Sequence, residues 1–357
     1  MKHSLLGFGA MRLPENVAEC KKMFSTYLDS GGNFIDTAYV YAGSEEMIKK
    51  ALTSQHPRDS YLLTNKLPVW SVGNIKDCDR IFEESLKRCG VDYFDYYLLH
   101  SLGKDNEQKA VSIGMYEWAA EQKKKGLVRH VGFSFHDEVS VLEEILAAHP
   151  EMEFVFLQLN YVDVLRGPFA AQHEAALRYN KPIIAMEPVK GGTLATLPNS
   201  AEALLKAARP NDSIASWAIR YAAGLKGVEI VLSGMSSLAQ VEDNIRILNP
   251  YEPMDEKDYA LLEQVMEALS KEGSIPCTGC KYCIADCPQN IEIANSIMIY
   301  NEYMRAGHKF NRQLAYNNLP DGQRANDCTS CGICLSLCPQ KIDIPSALET
   351  VSKEFAS

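Results

Sequence analysis

Asn33-Phe34-Ile35-Asp36-Thr37-Ala38 is a short apolar run closed by a carboxylate, with Tyr41 five residues beyond the aspartate. The same device returns in Tyr61-Leu62-Leu63-Thr64-Asn65-Lys66, closing on a cation, and in Asp95-Tyr96-Tyr97-Leu98-Leu99-His100, closing on an imidazole. Runs this brief, rich in β-branched and aromatic residues, suit strands buried on both faces. Amphipathic segments lie between them, residues 76–88 for example, and read as helices. Further strands are predicted at Leu5-Leu6-Gly7-Phe8, His130-Val131-Gly132-Phe133, Phe154-Val155-Phe156-Leu157, Pro182-Ile183-Ile184-Ala185 and Glu229-Ile230-Val231-Leu232. Residues 238–248 read as the last covering helix. Eight such strand-helix units close more naturally as a TIM barrel, a fold of about 250 residues, than as an open sheet.

Residues 256–271 then read as a helix with Leu261, Leu262, Val265, Met266 and Leu269 on one stripe. Glu272-Gly273-Ser274-Ile275-Pro276 breaks it, which sets the expected domains at 1–272 and 273–357. Eight of the eleven cysteines crowd into the second of these. Cys277, Cys280, Cys283 and Cys287 recur as Cys328, Cys331, Cys334 and Cys338, each displaced by the same 51 positions, and Cys-Pro-Gln-x-Ile-x-Ile recurs with them. Each block has the form Cys-x-x-Cys-x-x-Cys-x-x-x-Cys-Pro. Three close thiolates grip one cubane iron-sulfur cluster, and the fourth cysteine ligates the other cluster in two-cluster ferredoxins. Two 4Fe-4S clusters are therefore expected, one on Cys277, Cys280, Cys283 and Cys338, the other on Cys328, Cys331, Cys334 and Cys287. Structural zinc is the alternative, but it does not call for four cysteines and a trailing proline twice over. Ile293, Ile297, Tyr300 and Met304 share one helical face between the blocks, so this domain is expected to be mainly helical. The predicted fold class is thus α/β, a (β/α)8 TIM barrel followed by a small, mainly helical, ferredoxin-like iron-sulfur domain. The tail resembles the helical dicluster ferredoxin domains of respiratory iron-sulfur subunits.

Composition narrows the function classes. A formal charge of -10, with signs mixed along segments such as Glu121-Gln122-Lys123-Lys124-Lys125, argues against nucleic acid and against an anionic membrane surface as partners. The sequence has no apolar run near the roughly 18 residues of a membrane span, and Met1-Lys2-His3-Ser4 leads straight into structured sequence. A cytoplasmic protein is expected. Cys20, Cys78 and Cys89, with no Cys-x-x-Cys partner, read as buried small side chains.

Active sites of TIM barrels lie at the C-terminal ends of the strands. Taken alone, Asp36 could cap a helix, and Tyr41, Lys66 and His100 could be ordinary loop or core residues. Together they converge on one cavity and make a proton-transfer device. Tyr41 serves as general acid for a carbonyl oxygen, and Lys66 lowers its pKa. Asp36 holds Lys66, and His100 orients the substrate oxygen. These residues, with the stretches Phe34–Ala38, Asn65-Lys66 and Ser85 through His100, look like the aldo/keto reductases over roughly residues 4–250.

That resemblance implies hydride transfer between a nicotinamide cofactor, NADP or NAD, and a small carbonyl or alcohol substrate, with the family's tetrad on Asp36, Tyr41, Lys66 and His100. Tyr39 competes for the acid, but the five-residue gap favours Tyr41. It also implies cofactor contacts at Ser134 and Gln158, and at Met186 where many members stack an aromatic ring. Ser233, Gly234, Gln240 and Asn244 match the adenosine-phosphate segment, without the usual cations at Gly234 and Gln240. The loops 67–73, with Trp70, 101–108 and 190–199 are expected to shape the pocket. A hydride carries two electrons and a cubane cluster exchanges one, so an external redox protein is the expected partner of the clusters. The other readings are an electron-transfer subunit whose barrel docks that partner, and a reductase whose clusters are structural.

Overall fold

The computed structural model describes residues 2–165, 167, 169–270, 273–306 and 309–355. It contains eight parallel strands: β1 Leu6–Gly9, β2 Phe34–Asp36, β3 Leu62–Pro68, β4 Phe94–Leu102, β5 Val128–Phe135, β6 Phe154–Gln158, β7 Ile183–Met186 and β8 Val228–Gly234. Each pairs with its sequence neighbour, and β8 returns to β1, closing the barrel. Each of the predicted strands overlaps one of these. β3, β4 and β5 run a few residues beyond their predicted polar ends, because the neighbouring strand continues to supply hydrogen bonds there: Lys66 pairs with Leu98 and Pro68 with His100.

The barrel interior is filled by Phe34, Leu62, Leu98, Phe154, Phe156, Ile184, Ile230 and Leu232. At Gly132 a Cβ would meet the Phe154 carbonyl oxygen at 2.5 Å, so only glycine lets β5 lie this close to β6. Side chains alternate along a strand, which means that residues two positions beyond this layer point the same way, toward the C-terminal mouth. Phe34 is thereby followed by Asp36, Leu98 by His100, Phe156 by Gln158 and Ile184 by Met186. Near the N-terminal end of β4, Asp95 accepts hydrogen bonds from Arg58 at 2.6 Å, Arg129 at 2.9 Å and the Leu63 amide at 2.9 Å.

The chain packs as two compact units, Met1–Pro188 with Ser216–Met254, and Val189–Ala215 with Asp255–Ser357. The second unit joins the helix Asn199–Ala208 to Glu256–Ser270, where the Arg209 guanidinium donates to Asp258 at 2.6 Å. Leu262, Val265 and Met266 of the expected stripe are buried, and Lys271 lies outside the described residues. Helices Ile293–Ala306, Lys309–Asn317 and Ile344–Phe355 follow. Their shared core includes Ile291, Ile293, Ile297, Tyr300, Tyr316, Leu348, Val351 and Phe355, together with Cys283, Cys334 and Cys338. The sequence repeat has a structural meaning here. In both copies Pro-Gln-x-Ile-x-Ile buries its two isoleucines, Ile291 and Ile293 in one and Ile342 and Ile344 in the other, and the second begins a helix.

Candidate active site and cysteine sites

At the mouth of the barrel the Lys66 ammonium donates to both Asp36 oxygens at 2.6 Å and to the Thr37 carbonyl at 2.7 Å. Both side chains are buried. Burial lowers the pKa of Lys66 and raises that of Asp36, each against the attraction of its partner. Lys66 Nζ lies 4.9 Å from the centre of the Tyr41 ring, and the His100 ring meets Tyr41 edge-on at 6.0 Å. Tyr41 is held by a tight turn, in which its amide donates to the Ala38 carbonyl and its carbonyl accepts from Ser44, both at 3.0 Å. Ser44 Oγ is in turn bound to the Ala10 carbonyl at 2.8 Å. Tyr39, the competing tyrosine, donates to Glu84 at 2.7 Å, and the Arg88 guanidinium covers its ring at 4.6 Å. Burial, then the charges of Lys66 and His136, push His100 well below the ordinary histidine range, so its imidazole is neutral near pH 7. Trp70 stands 5.1 Å from His100, ring to ring, and is 40% exposed.

The expected cofactor residues divide into two groups. Ser134 and Gln158 are buried at the ends of β5 and β6, and Met186 closes β7 against the barrel core. Ser134 Oγ accepts from the Ser101 amide at 2.8 Å. Gln158 Nε2 donates to Asp163 at 2.6 Å and Asn160 Nδ2 donates to the same carboxylate at 2.7 Å. Ser233 has the opposite parity to Ile230 and Leu232 of the barrel core, and it accepts from Asn244 Nδ2 at 2.7 Å. That pair ties β8 to the helix Leu238–Leu248. Gln240 Oε1 accepts from the Ser236 amide at 2.7 Å, and Ser237 caps the helix through the Gln240 amide. A Cβ on Gly234 would meet nothing within 4 Å, which leaves the end of β8 open.

Asp163 and His136 escaped the sequence reading. Asp163 lies in the helix Tyr161–Leu165, five residues past Gln158, where an acid in a first turn has the ordinary role of helix stabiliser. His136 follows β5 with no flanking pattern to mark it.

In the second unit, Cys277, Cys280, Cys283 and Cys338 line one cavity. Cys287, Cys328, Cys331 and Cys334 line another. Each set takes three cysteines from one block and one from the other, and Ile293 forms part of both walls. Burial, then Cys280, Cys338 and Cys277, push Cys283 up to about 12; burial also raises Cys334, with Cys328, Cys331 and Cys287 adding to it. Thiols crowded so resist ionising unless positive charge joins them, which is the condition an iron-bearing cluster meets. Backbone amides already point at the sulfurs: Gly279 at Cys277, Ile291 at Cys287 and Ser330 at Cys328, each at 3.4 Å. Among the described residues no three His, Cys, Asp or Glu side chains close around a point as a single ion requires. Four thiols lining each cavity, with backbone amides directed at their sulfurs, are a donor set that fits an iron-sulfur cluster. Cys20, Cys78 and Cys89 are buried, and burial raises all three.

The sequence model described as the aldo/keto reductase family matches residues 5–267. The chain belongs to the aldo/keto reductase family. The model of a 4Fe-4S dicluster domain matches residues 276–342 of this reductase. Among curated proteins it is 27% identical to an aldo-keto reductase of Mycolicibacterium paratuberculosis, across 75% of this chain and 85% of that one. It is 25% identical to the L-galactose dehydrogenase of Arabidopsis thaliana, across 75% and 92% of the two. Among solved structures, an aldo-keto reductase from Klebsiella pneumoniae in complex with NADPH superposes with a TM-score of 0.61 at 20% identity, covering 74% of this chain and 91% of that one. This aldo/keto reductase is thus an oxidoreductase with a TIM barrel and a C-terminal 4Fe-4S dicluster domain. No described helix is long and apolar enough to cross a membrane.

Proposed function

We propose that the barrel catalyses hydride transfer between NADP or NAD and a small carbonyl or alcohol, with Tyr41 as general acid. The observation that carries this reading is the buried Asp36–Lys66 clamp beneath the Tyr41 ring, with a neutral His100 at the ring's edge. When bound, the nicotinamide supplies or takes the hydride. Tyr41 gives its phenolic proton to the carbonyl oxygen in reduction and takes it back in oxidation. Lys66, fixed by Asp36, puts positive charge beside the developing phenolate, and His100 donates a hydrogen bond that orients the oxygen. Ser134 and Gln158, the latter steadied by Asp163, suit the carboxamide; Met186 suits an apolar ring face. Ser233 and Gly234 at the end of β8, with Gln240 and Asn244 of the helix that follows, build the segment that suits a phosphate, and no cation at Gly234 or Gln240 selects NADP over NAD.

For the tail, divided from the barrel in chain order at 272/273, the proposal is two 4Fe-4S clusters with crossed ligation, as the two cysteine cavities support. The clusters supply one-electron exchange, and an external redox protein is their partner. Cys331 is exposed, with Ile333 and Leu335 exposed beside it, which favours the second set as the point of exchange. A cytoplasmic setting would keep these thiols reduced and ready for iron.

The test is anaerobic turnover with a panel of aldehydes and ketones against NADPH and NADH, alongside iron and sulfide analysis. We expect nicotinamide-dependent reduction of some carbonyls and about eight irons and eight sulfides per chain. Absence of turnover with every pairing would overturn the barrel reading, and stoichiometric zinc in place of iron would overturn the tail reading.

A further inference from the structure

The 51-residue repeat makes the two cysteine cavities a matched pair, so a difference between them has to come from elsewhere in the chain. Thr278 of the first block corresponds to Thr329 of the second, and Gln340, which lines the first cavity, corresponds to Gln289 in the second. Thr329 and Gln289 are exposed. Thr278 is buried at 3%, and Gln340 is partly covered. The cover is the segment after Pro188. Lys190, only 5% exposed, donates from its ammonium to Gln340 Oε1 at 3.0 Å. Gly191, at φ +64, lies so close to the Cys277–Cys280 loop that a Cβ would stand 2.2 Å from the Thr278 carbonyl oxygen and 2.7 Å from its Cα.

We propose that Lys190 is a tuning residue, a buried cation seated against the Cys277, Cys280, Cys283, Cys338 site that raises the reduction potential of the cluster held there, with Gly191 as the contact that seats it. The inference rests on the two-cluster reading of the tail. One electron from a one-electron donor makes a thiolate-bound cluster more negative by one unit, with no proton and no bond change. A positive charge held nearby in a medium of low dielectric favours the more negative state. Among the described residues, none of those that line the second cavity is charged. Lys281, which lines the first cavity, is exposed, and water and salt screen its charge. The asymmetry gives the pair a direction. Electrons entering at the exposed Cys331 side come to rest on the cluster beside Lys190.

The test is an anaerobic redox titration of the full-length protein followed by the paramagnetic signals of the reduced clusters. The two signals are assigned with Cys280→Ser and Cys331→Ser. Lys190→Met keeps the length of the side chain and removes the charge. It should retain full iron and sulfide and shift the first cluster toward its oxidised form at least tenfold at fixed poise, about 59 mV for one electron. Lys190→Arg should behave as wild type. Should Lys190→Met lose iron, the potential is read on Lys190→Gln, whose amide can still bond to Gln340. Gly191→Ala should cost the first cluster its iron and spare the second. Unchanged potentials in the uncharged variants, or a shift confined to the second cluster, would overturn the inference while leaving two clusters in place. A wild-type protein without iron would instead overturn the reading beneath it.

Discussion

The barrel site and the cysteine sites are built on opposite principles. Asp36 and Lys66 hold one another at 2.6 Å on adjacent strands whose interior is closed by phenylalanine, leucine and isoleucine, so the device is set before any ligand arrives. In the tail, Cys283, Cys334 and Cys338 are themselves members of the hydrophobic core, and each set of four thiols lines a cavity against that core. Such a domain is completed by what fills it. Mutation at the barrel mouth should therefore cost rate and leave the fold, whereas mutation of a cysteine should cost structure.

The largest effect expected from this contrast is loss of a whole cluster. Cys287→Ala lies in the first block but lines the second cavity. It should remove or disturb the cluster of Cys328, Cys331 and Cys334, with up to about half the iron lost. The first cluster's signal should survive and the barrel should melt normally. Perturbation of the first cluster alone would show that the ligation is not crossed.

Next in size is the general acid. Tyr41→Phe keeps the ring over Lys66 and removes the hydroxyl, so carbonyl reduction should fall roughly a hundredfold or more with dinucleotide binding and melting temperature retained. Tyr39→Phe should turn over nearly normally, because the Tyr39 hydroxyl is spent on Glu84. The reverse pattern would move the acid to Tyr39.

The smallest effect separates the domains by pH. An unfolded histidine takes up a proton near pH 6.5, whereas burial holds His100 neutral to well below that. As pH falls from 7 toward 5, the unfolded chain binds the extra proton and the barrel loses stability, by at most about 1.4 kcal/mol per pH unit from this group. His100→Gln should remove that part of the slope. Denaturant melts of wild type and variant at pH 7 and 5.5, read on barrel unfolding, check it, and parallel slopes would contradict the buried neutral state.

Much of this architecture was legible because it depends on local pattern. The period of two that fills the barrel with Phe34, Leu98 and Phe156 is the same period that aims Asp36, His100 and Gln158 at the mouth, so strand ends and catalytic candidates came from one signal. The equal spacing of the cysteine blocks marks the repeat, and the crossed assignment, which remains a proposal, comes from the two-cluster ferredoxin pattern. What stayed hidden depends on contacts distant in sequence or opposite in parity. The resemblance places Ser233 in the adenosine-phosphate segment, and its parity in β8 turns it to Asn244, a bond that the sequence pattern does not show. Lys190 reaches Gln340 across 150 positions; Asp163, only five residues past Gln158, is hidden instead because an acid in a first helical turn is ordinary. The loop 190–199, expected to shape the pocket, packs with the second unit.

The proposed function has two electrons moving as a hydride in the barrel and single electrons moving through the tail. It is tested most directly by anaerobic rapid mixing of the oxidised holoenzyme with NADPH or NADH and a carbonyl substrate, following nicotinamide absorbance, cluster absorbance and the paramagnetic signal together. The account predicts that the nicotinamide is consumed by the carbonyl while the clusters stay oxidised, and that they reduce when dithionite or a one-electron carrier is added. Prompt reduction of the clusters by nicotinamide alone would contradict it.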